Sequence, residues 1–441
     1  MRLLTTLLVL TISLPALAQE AILEGLPTPS GRVDVACEVA ELRLTDDRGR
    51  AMADMTGFAY LAQSGVDVGD DRPITFFWNG GPGAAAALLH TGFGAPLSAD
   101  SGVEGDGQFG VNPYTFIDLT DLVYVDPVGT GFSSAAGRYE DADFWGVVPD
   151  ADAAAEFVET FLEEWGIENR PVYLCGESYG AVRVAAMLAP LEERGIEVEG
   201  LILISPALES ATITRSRARG AGRADRLPTF AALAAHRGLR EVEDEAEFVD
   251  QAYLFSREVY LPALQGQDRL DEATLDLVRE TRDLYTARAS GSGYDQHDAR
   301  FRASEGALGG IETSTLGNAV KTLLSGLFGV ETDGRYRLMN GRANGSWRSA
   351  DGRTRLFEGG FGVPPLIAEA ATVGRRPSVF IAGGWYDLVT PFATNRRLAE
   401  SGAFGRADVT VRDFPAGHVI YADPRSHEGL VSDLRLWLNS R

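Results

Sequence analysis

The chain has 441 residues, 45% of them apolar, and 63 acidic against 40 basic side chains for a formal charge of −23. That composition suits a folded protein of one large domain or two. It excludes nucleic acid as a partner and disfavours an anionic membrane face, because both need a basic surface. Lys321 is the sole lysine, so Schiff-base chemistry would rest on one side chain.

In chain order, residues 1–18 read as a secretory signal: Arg2 supplies the positive end, 3–14 an apolar core, and Ala16-Leu17-Ala18 a small-residue cleavage site. The apolar run falls short of the roughly 20 residues that span a bilayer. Cleavage after Ala18 and export to the periplasm or the medium, with no membrane span, is the expectation. Residues 32–44 and 53–62, separated by Asp46-Asp47-Arg48-Gly49, predict an antiparallel hairpin. Short, almost wholly apolar runs follow at 74–78, 122–125, 172–175, 201–204 and 379–382, with a possible last strand at 409–411. Such runs suit parallel strands buried on both faces. Between them, 150–165 has a helical stripe of Phe157, Phe161, Leu162 and Trp165. The alternation predicts an α/β fold with a doubly wound, mostly parallel sheet.

The rhythm breaks after Pro206. Helical patterns at 228–236, 243–258 and 271–285, with a Gly/Ser loop at 289–293, suggest an insertion over the carboxyl ends of the strands. The predicted division is therefore a core at 19–207, a largely helical cap at 208–363, and the core again at 364–441. Cys175 falls on a central strand and Cys37 on an N-terminal edge strand, a separation that disfavours a disulfide. Two cysteines and five histidines without H-E-x-x-H spacing indicate neither a metal nor another cofactor.

Chemistry concentrates at Gly176-Glu177-Ser178-Tyr179-Gly180, a G-x-S-x-G pentapeptide between an apolar run and a helix-forming run. That context marks a nucleophile elbow, whose glycines let the serine hydroxyl project from a sharp turn. Serine needs a base to take its proton, and in the α/β-hydrolase order the acid and then the histidine follow it. Of His236, His297, His418 and His427, His418 sits in a turn after the last predicted strand, whereas His427 lies in a charged, solvated stretch. Asp387 follows the run at 379–382 and is the candidate acid; Asp408 and Asp413 read as ordinary edge charges. Tyr179 N–H would be one oxyanion donor, and the loop Asn79-Gly80-Gly81-Pro82-Gly83 stands where the second is needed.

These residues carry a family likeness. Trp78-Asn79-Gly80-Gly81-Pro82-Gly83 and the pentapeptide at Ser178 resemble the two signatures of the serine carboxypeptidases. Asn112-Pro113-Tyr114-Thr115-Phe116 and the stretch 126–133 look like the segments between them, and the Asp387 and Gly417-His418 segments are similar to its C-terminal motifs. The likeness runs over 74–204 and 379–421. It implies that Gly81 N–H joins Tyr179 N–H in the oxyanion hole, and that Asn79 and Glu177 bind the free carboxylate of a peptide substrate. A carboxylate facing a carboxylate needs a proton on one of them, so Glu177 would act protonated. Two positions depart from the family pattern. Ala84 stands where a cysteine is common, and Gly92-Phe93-Gly94-Ala95-Pro96 lacks the second acid often found upstream of a Gly-Pro. The expected function is an exported serine-type carboxypeptidase. An esterase or acyltransferase on the same three residues and a non-catalytic binding protein of this fold are the alternatives.

Overall fold

The central strands are apolar throughout because each is covered on both sides. In the computed structural model, which describes residues 21–99, 109–210, 220–266, 271–286, 293, 295–302, 313–332, 335–371 and 376–441, every residue of β4 (Ile74–Trp78) is buried. Its Ile74, Phe76 and Trp78 enter one core cluster, while Phe77 enters the other. The same period of two divides Val172 and Leu174 from Tyr173 and Cys175 on β9 (Val172–Glu177). It also divides Val379 and Ile381 from Phe380 and Ala382 on β11 (Ser378–Gly384). Alternating side chains need two apolar partners, so the sheet has helices on both faces.

The predicted hairpin is present as β2 (Gly31–Thr45) and β3 (Ala51–Ser64), paired antiparallel. The sequence reading missed β1 (Ala21–Thr28), which pairs with β2 and forms the sheet edge. Cys37 thus lies on the second strand, not the edge, and both cysteines are buried free thiols. A small two-stranded sheet, β5 (Leu97–Ala99) with β6 (Phe109–Val111), precedes β7 (Asp121–Val125) and β8 (Ser134–Ala135). With β10 (Val198–Ile204) and β12 (Asp408–Phe414), the main order is β1-β2-β3-β7-β4-β9-β10-β11-β12, with β8 beside β3. From β7 onward all pairings along this path are parallel. The loops after β4, β9, β11 and β12 therefore open at one edge.

The helix expected at 150–165 is Val147–Trp165, ended by Gly166 at φ 65°, whose N–H bonds back to the carbonyls of Glu163 and Leu162. Phe161 packs edge-on to Phe76 at 5.5 Å and stacks on Trp165 at 4.1 Å. The helix Pro424–Leu438 covers the opposite face with Leu430, Val431, Leu434 and Trp437, and is capped by Asp423 accepting from Ser426 N–H. Between β10 and β11 the described residues form helices and loops, and no strand there joins the main sheet. The helix at Ala221–His236 begins a full two turns before the expected start, because Pro228 is accommodated inside it. Residues 1–18 and most of the Gly/Ser loop lie outside the described residues. No helix among the described residues is long and apolar enough to cross a membrane.

Phe161 is fully buried and holds the helix to the sheet. Phe161→Ala should cost about 3–5 kcal/mol through lost burial and a residual cavity, read as a lower midpoint in urea unfolding.

Candidate active site

Ser178 sits between the end of β9 and the short helix α1 (Gly180–Ala186), with φ at 58°, a left-handed conformation that an ordinary residue adopts only under constraint. The flanking glycines show what imposes it. A Cβ on Gly176 would meet Gly180 O at 2.3 Å, and one on Gly180 would meet Trp78 O at 2.5 Å. The loop after β4 is pressed against this turn: a Cβ on Gly80 would stand 2.5 Å from Tyr179 N and 2.9 Å from Ser178 Cβ. Only glycine permits that approach, which sets the adjoining Gly81 beside the elbow.

The end of β10 joins the elbow to the His418 loop. Ser178 N–H donates to Ile204 O at 3.0 Å, and the next residue, Ser205, donates its hydroxyl to His418 O at 2.6 Å. His418 Nδ1 lies 2.5 Å from Asp387 Oδ2. Asp387 has no exposed surface; its Oδ1 accepts from the N–H groups of Val389 and Thr390, and its Oδ2 also accepts from the Thr390 hydroxyl. Four donors thus fix the carboxylate. Burial would push His418 down, yet the charge and hydrogen bond of Asp387 outweigh it and hold the imidazole above its ordinary value. His297 is adjacent, its ring 5.5 Å from that of His418 and its carbonyl accepting from His418 N–H at 2.6 Å. Beside His418 opens a cavity of about 330 Å³ lined by His236, Asp298, Arg300, Phe301 and Asp423.

Glu177 and Asn79 are both 2% exposed, and Asn79 Nδ2 donates to Glu177 Oε2. Tyr421 donates its hydroxyl to the same oxygen at 2.9 Å, while Glu177 Oε1 is buried with no hydrogen-bond partner among the described residues. Burial pushes the carboxyl up to about 7, against the opposing pull of His418, Tyr421 and Asn79. Asn79 Oδ1 accepts from Leu89 N–H at 3.1 Å, which fixes its amide orientation.

Sequence reasoning missed the groups behind this surface. Arg183 is fully buried, pairs with Asp150 at 2.8 Å, and donates to Asn79 O at 2.8 Å. It thereby ties the loop after β4 to α1. Trp347, from between β10 and β11, donates its indole N–H to Tyr179 Oη at 2.7 Å, and Asn344 and Asn340 bond the carbonyls of Pro82 and Gly83. No local motif announces these partners, because each is distant in sequence. Two readings are corrected. His427 is buried, its ring 4.4 Å from that of Tyr114, because the helix Pro424–Leu438 turns it toward the core. Asp413 is no edge charge either: its side chain is 4% exposed and paired with Arg396, and burial pushes its carboxyl up to about 6. Asp408 does behave as an exposed charge, bridged to Arg441.

Residues 54–221 match the model of the serine carboxypeptidase family. Among curated proteins, the carboxypeptidase Y homolog of Arthroderma benhamiae is 28% identical over 145 residues, covering 32% of this chain and 28% of that one. Serine-type carboxypeptidase F of Aspergillus niger is 30% identical over 156 residues, covering 31% and 25%. The matched segments span only about a quarter of the length of these relatives. The solved structure of a prohormone-processing carboxypeptidase from Saccharomyces cerevisiae superposes with a TM-score of 0.60 at 14% identity, covering 94% of this chain and 95% of that one. That likeness establishes the fold as an α/β-hydrolase sheet. The family match spans the elbow, the glycine loop and the strands that carry them, so this part of the chain is similar to the serine carboxypeptidases.

Proposed function

We propose that this protein is a serine-type carboxypeptidase that removes the last residue of peptides through an acyl-enzyme on Ser178. His418 takes the proton of Ser178 Oγ as that oxygen attacks the scissile carbonyl carbon, and then gives it to the departing amino group. Asp387 keeps His418 in the tautomer that presents Nε2 and stabilises the imidazolium; their 2.5 Å contact supports that role. Gly81 and Tyr179 N–H groups receive the oxyanion, each such donor being worth about 2.7–4 kcal/mol. Water, activated by His418, then releases the shortened peptide. No cofactor takes part.

The observation that carries the substrate assignment is Glu177. It directly precedes the nucleophile, is buried, bonds Asn79, and has one oxygen without a partner among the described residues. Such a carboxyl, holding its proton, donates to a peptide's terminal carboxylate, and Asn79 shares the recognition. Residues 208–363 act as the cap that shapes the pocket, supported by the bonds of Trp347, Asn344 and Asn340 to the elbow and the glycine loop. The sequence of residues 1–18 supports export to the periplasm or the medium, where peptides are the substrate.

The test combines product analysis with variants. Mass spectrometry of a peptide library should show stepwise loss of C-terminal residues, and a fluorophosphonate should form an adduct on Ser178. Internal or N-terminal cleavage, or a missing adduct, overturns the reading. Glu177→Gln should reduce kcat/KM on free-acid peptides at least tenfold more than on their C-terminal esters; equal losses point to an esterase or acyltransferase. Asp387→Asn should slow fluorophosphonate labelling by a factor on the order of 10³–10⁴ through the wrong His418 tautomer. It should also lower the His418 titration midpoint seen by NMR, as loss of the anionic partner requires.

A further inference from the structure

We infer that Tyr421 is a positioning residue that assigns the two oxygens of Glu177 their roles, leaving Oε2 to accept and Oε1 to carry the proton that meets the substrate carboxylate. The inference rests on the carboxypeptidase reading and extends it to a residue outside the sequence signatures.

Oε2 receives two donors, Asn79 Nδ2 and the Tyr421 hydroxyl at 2.9 Å, whereas Oε1 receives none among the described residues. An oxygen already accepting two hydrogen bonds is the poorer place for a proton. The neutral acid therefore carries it on Oε1. The Tyr421 phenol is buried and held far above its ordinary value by that burial and by Glu177, so it stays a donor across any working pH. Its ring is tightly seated: it lies 5.3 Å from the Phe93 ring, and a Cβ on Gly92 would come within 2.9 Å of its Cε2. Phe93 and Gly92 belong to the stretch that lacks the second acid. Phe93 and Tyr421 pack as an aromatic pair beside Glu177, and the Tyr421 phenol is aimed at its Oε2.

The consequence is a pH window that Tyr421 helps to set. The groups facing Glu177 are Asn79, Tyr421, His418 and Asp387; the first three favour its ionised form and Asp387 opposes it. Once Glu177 ionises, it repels a free carboxylate, so recognition of free-acid peptides fails as pH rises through its titration. Removing the Tyr421 donor removes stabilisation of the ionised form. Glu177 then keeps its proton to higher pH.

The experiment is Tyr421→Phe, which retains the ring against Gly92 and Phe93. KM and kcat are measured against pH on an N-blocked dipeptide and on its methyl ester. The alkaline limb for the free acid should move up by about one pH unit, the scale of one hydrogen bond to a charged group, while the ester profile keeps its position. A parallel loss on both substrates with the limb unmoved overturns the inference. Isotope-edited infrared spectroscopy supplies a readout that needs no turnover. The protonated-carboxyl band that disappears in Glu177→Gln should titrate with a higher midpoint in Tyr421→Phe, and an unchanged midpoint also overturns the inference. If the wild-type protein leaves free-acid peptides intact, the carboxypeptidase reading falls, and the infrared midpoint alone still decides the role of Tyr421.

Discussion

The site depends on two glycine-bearing turns packed backbone to backbone. Gly180 abuts the carbonyl of Trp78 and Gly80 abuts Ser178 and Tyr179, so the ends of β4 and β9 meet with no side chain between them. The parallel pairing of these strands over Ile74–Trp78 brings the two turns level. Any Cβ at those points would force the turns apart by an ångström or more. The left-handed Ser178 is the residue on which this constraint is spent, since its backbone is held from both sides by Ile204 and Ala207.

Behind that contact, charges are buried in pairs, and their pairing fixes the backbone near Ser178. Arg183 has no exposed surface and is tolerable there because Asp150 neutralises it and Asn79 O takes a second donor. The Asp387–His418 pair follows the same logic, with Thr390 and two backbone N–H groups completing the carboxylate. Glu177 is the exception. Its hydrogen bonds among the described residues come from the neutral donors Asn79 and Tyr421, so desolvation outweighs the pull of His418 and pushes its carboxyl up to about 7. A buried acid without a partner cation is costly to ionise, and that makes it chemically available as a donor.

Much of the fold was legible because burial on both faces leaves a plain mark. The runs at 74–78, 122–125, 172–175, 201–204 and 379–382 all became strands with ends within a few residues of those expected. The first strand escaped notice because its burial alternates only weakly along Ala21–Thr28, as befits an edge. His427 misled because Pro424-Arg425-Ser426-His427-Glu428 looks solvated, yet one helical face of it packs on Tyr114 and Phe93. Pro228 misled in the opposite direction, reading as a helix start while sitting inside one.

By itself, the sequence determined the order of strands and helices, the elbow at Ser178, and which aspartate and histidine stand after late strands. Those features are local, since a period of two, a glycine beside a serine, or a turn after an apolar run is written within a few residues. Only the tertiary structure decided that Asp387 touches His418, that Arg183 reaches Asn79, that Trp347 holds Tyr179, and that Tyr421 faces Glu177. Those contacts join residues 31, 104, 168 and 244 positions apart. Their strength comes from exclusion of water, a condition that exists only once the sheet and its covering helices have closed around them.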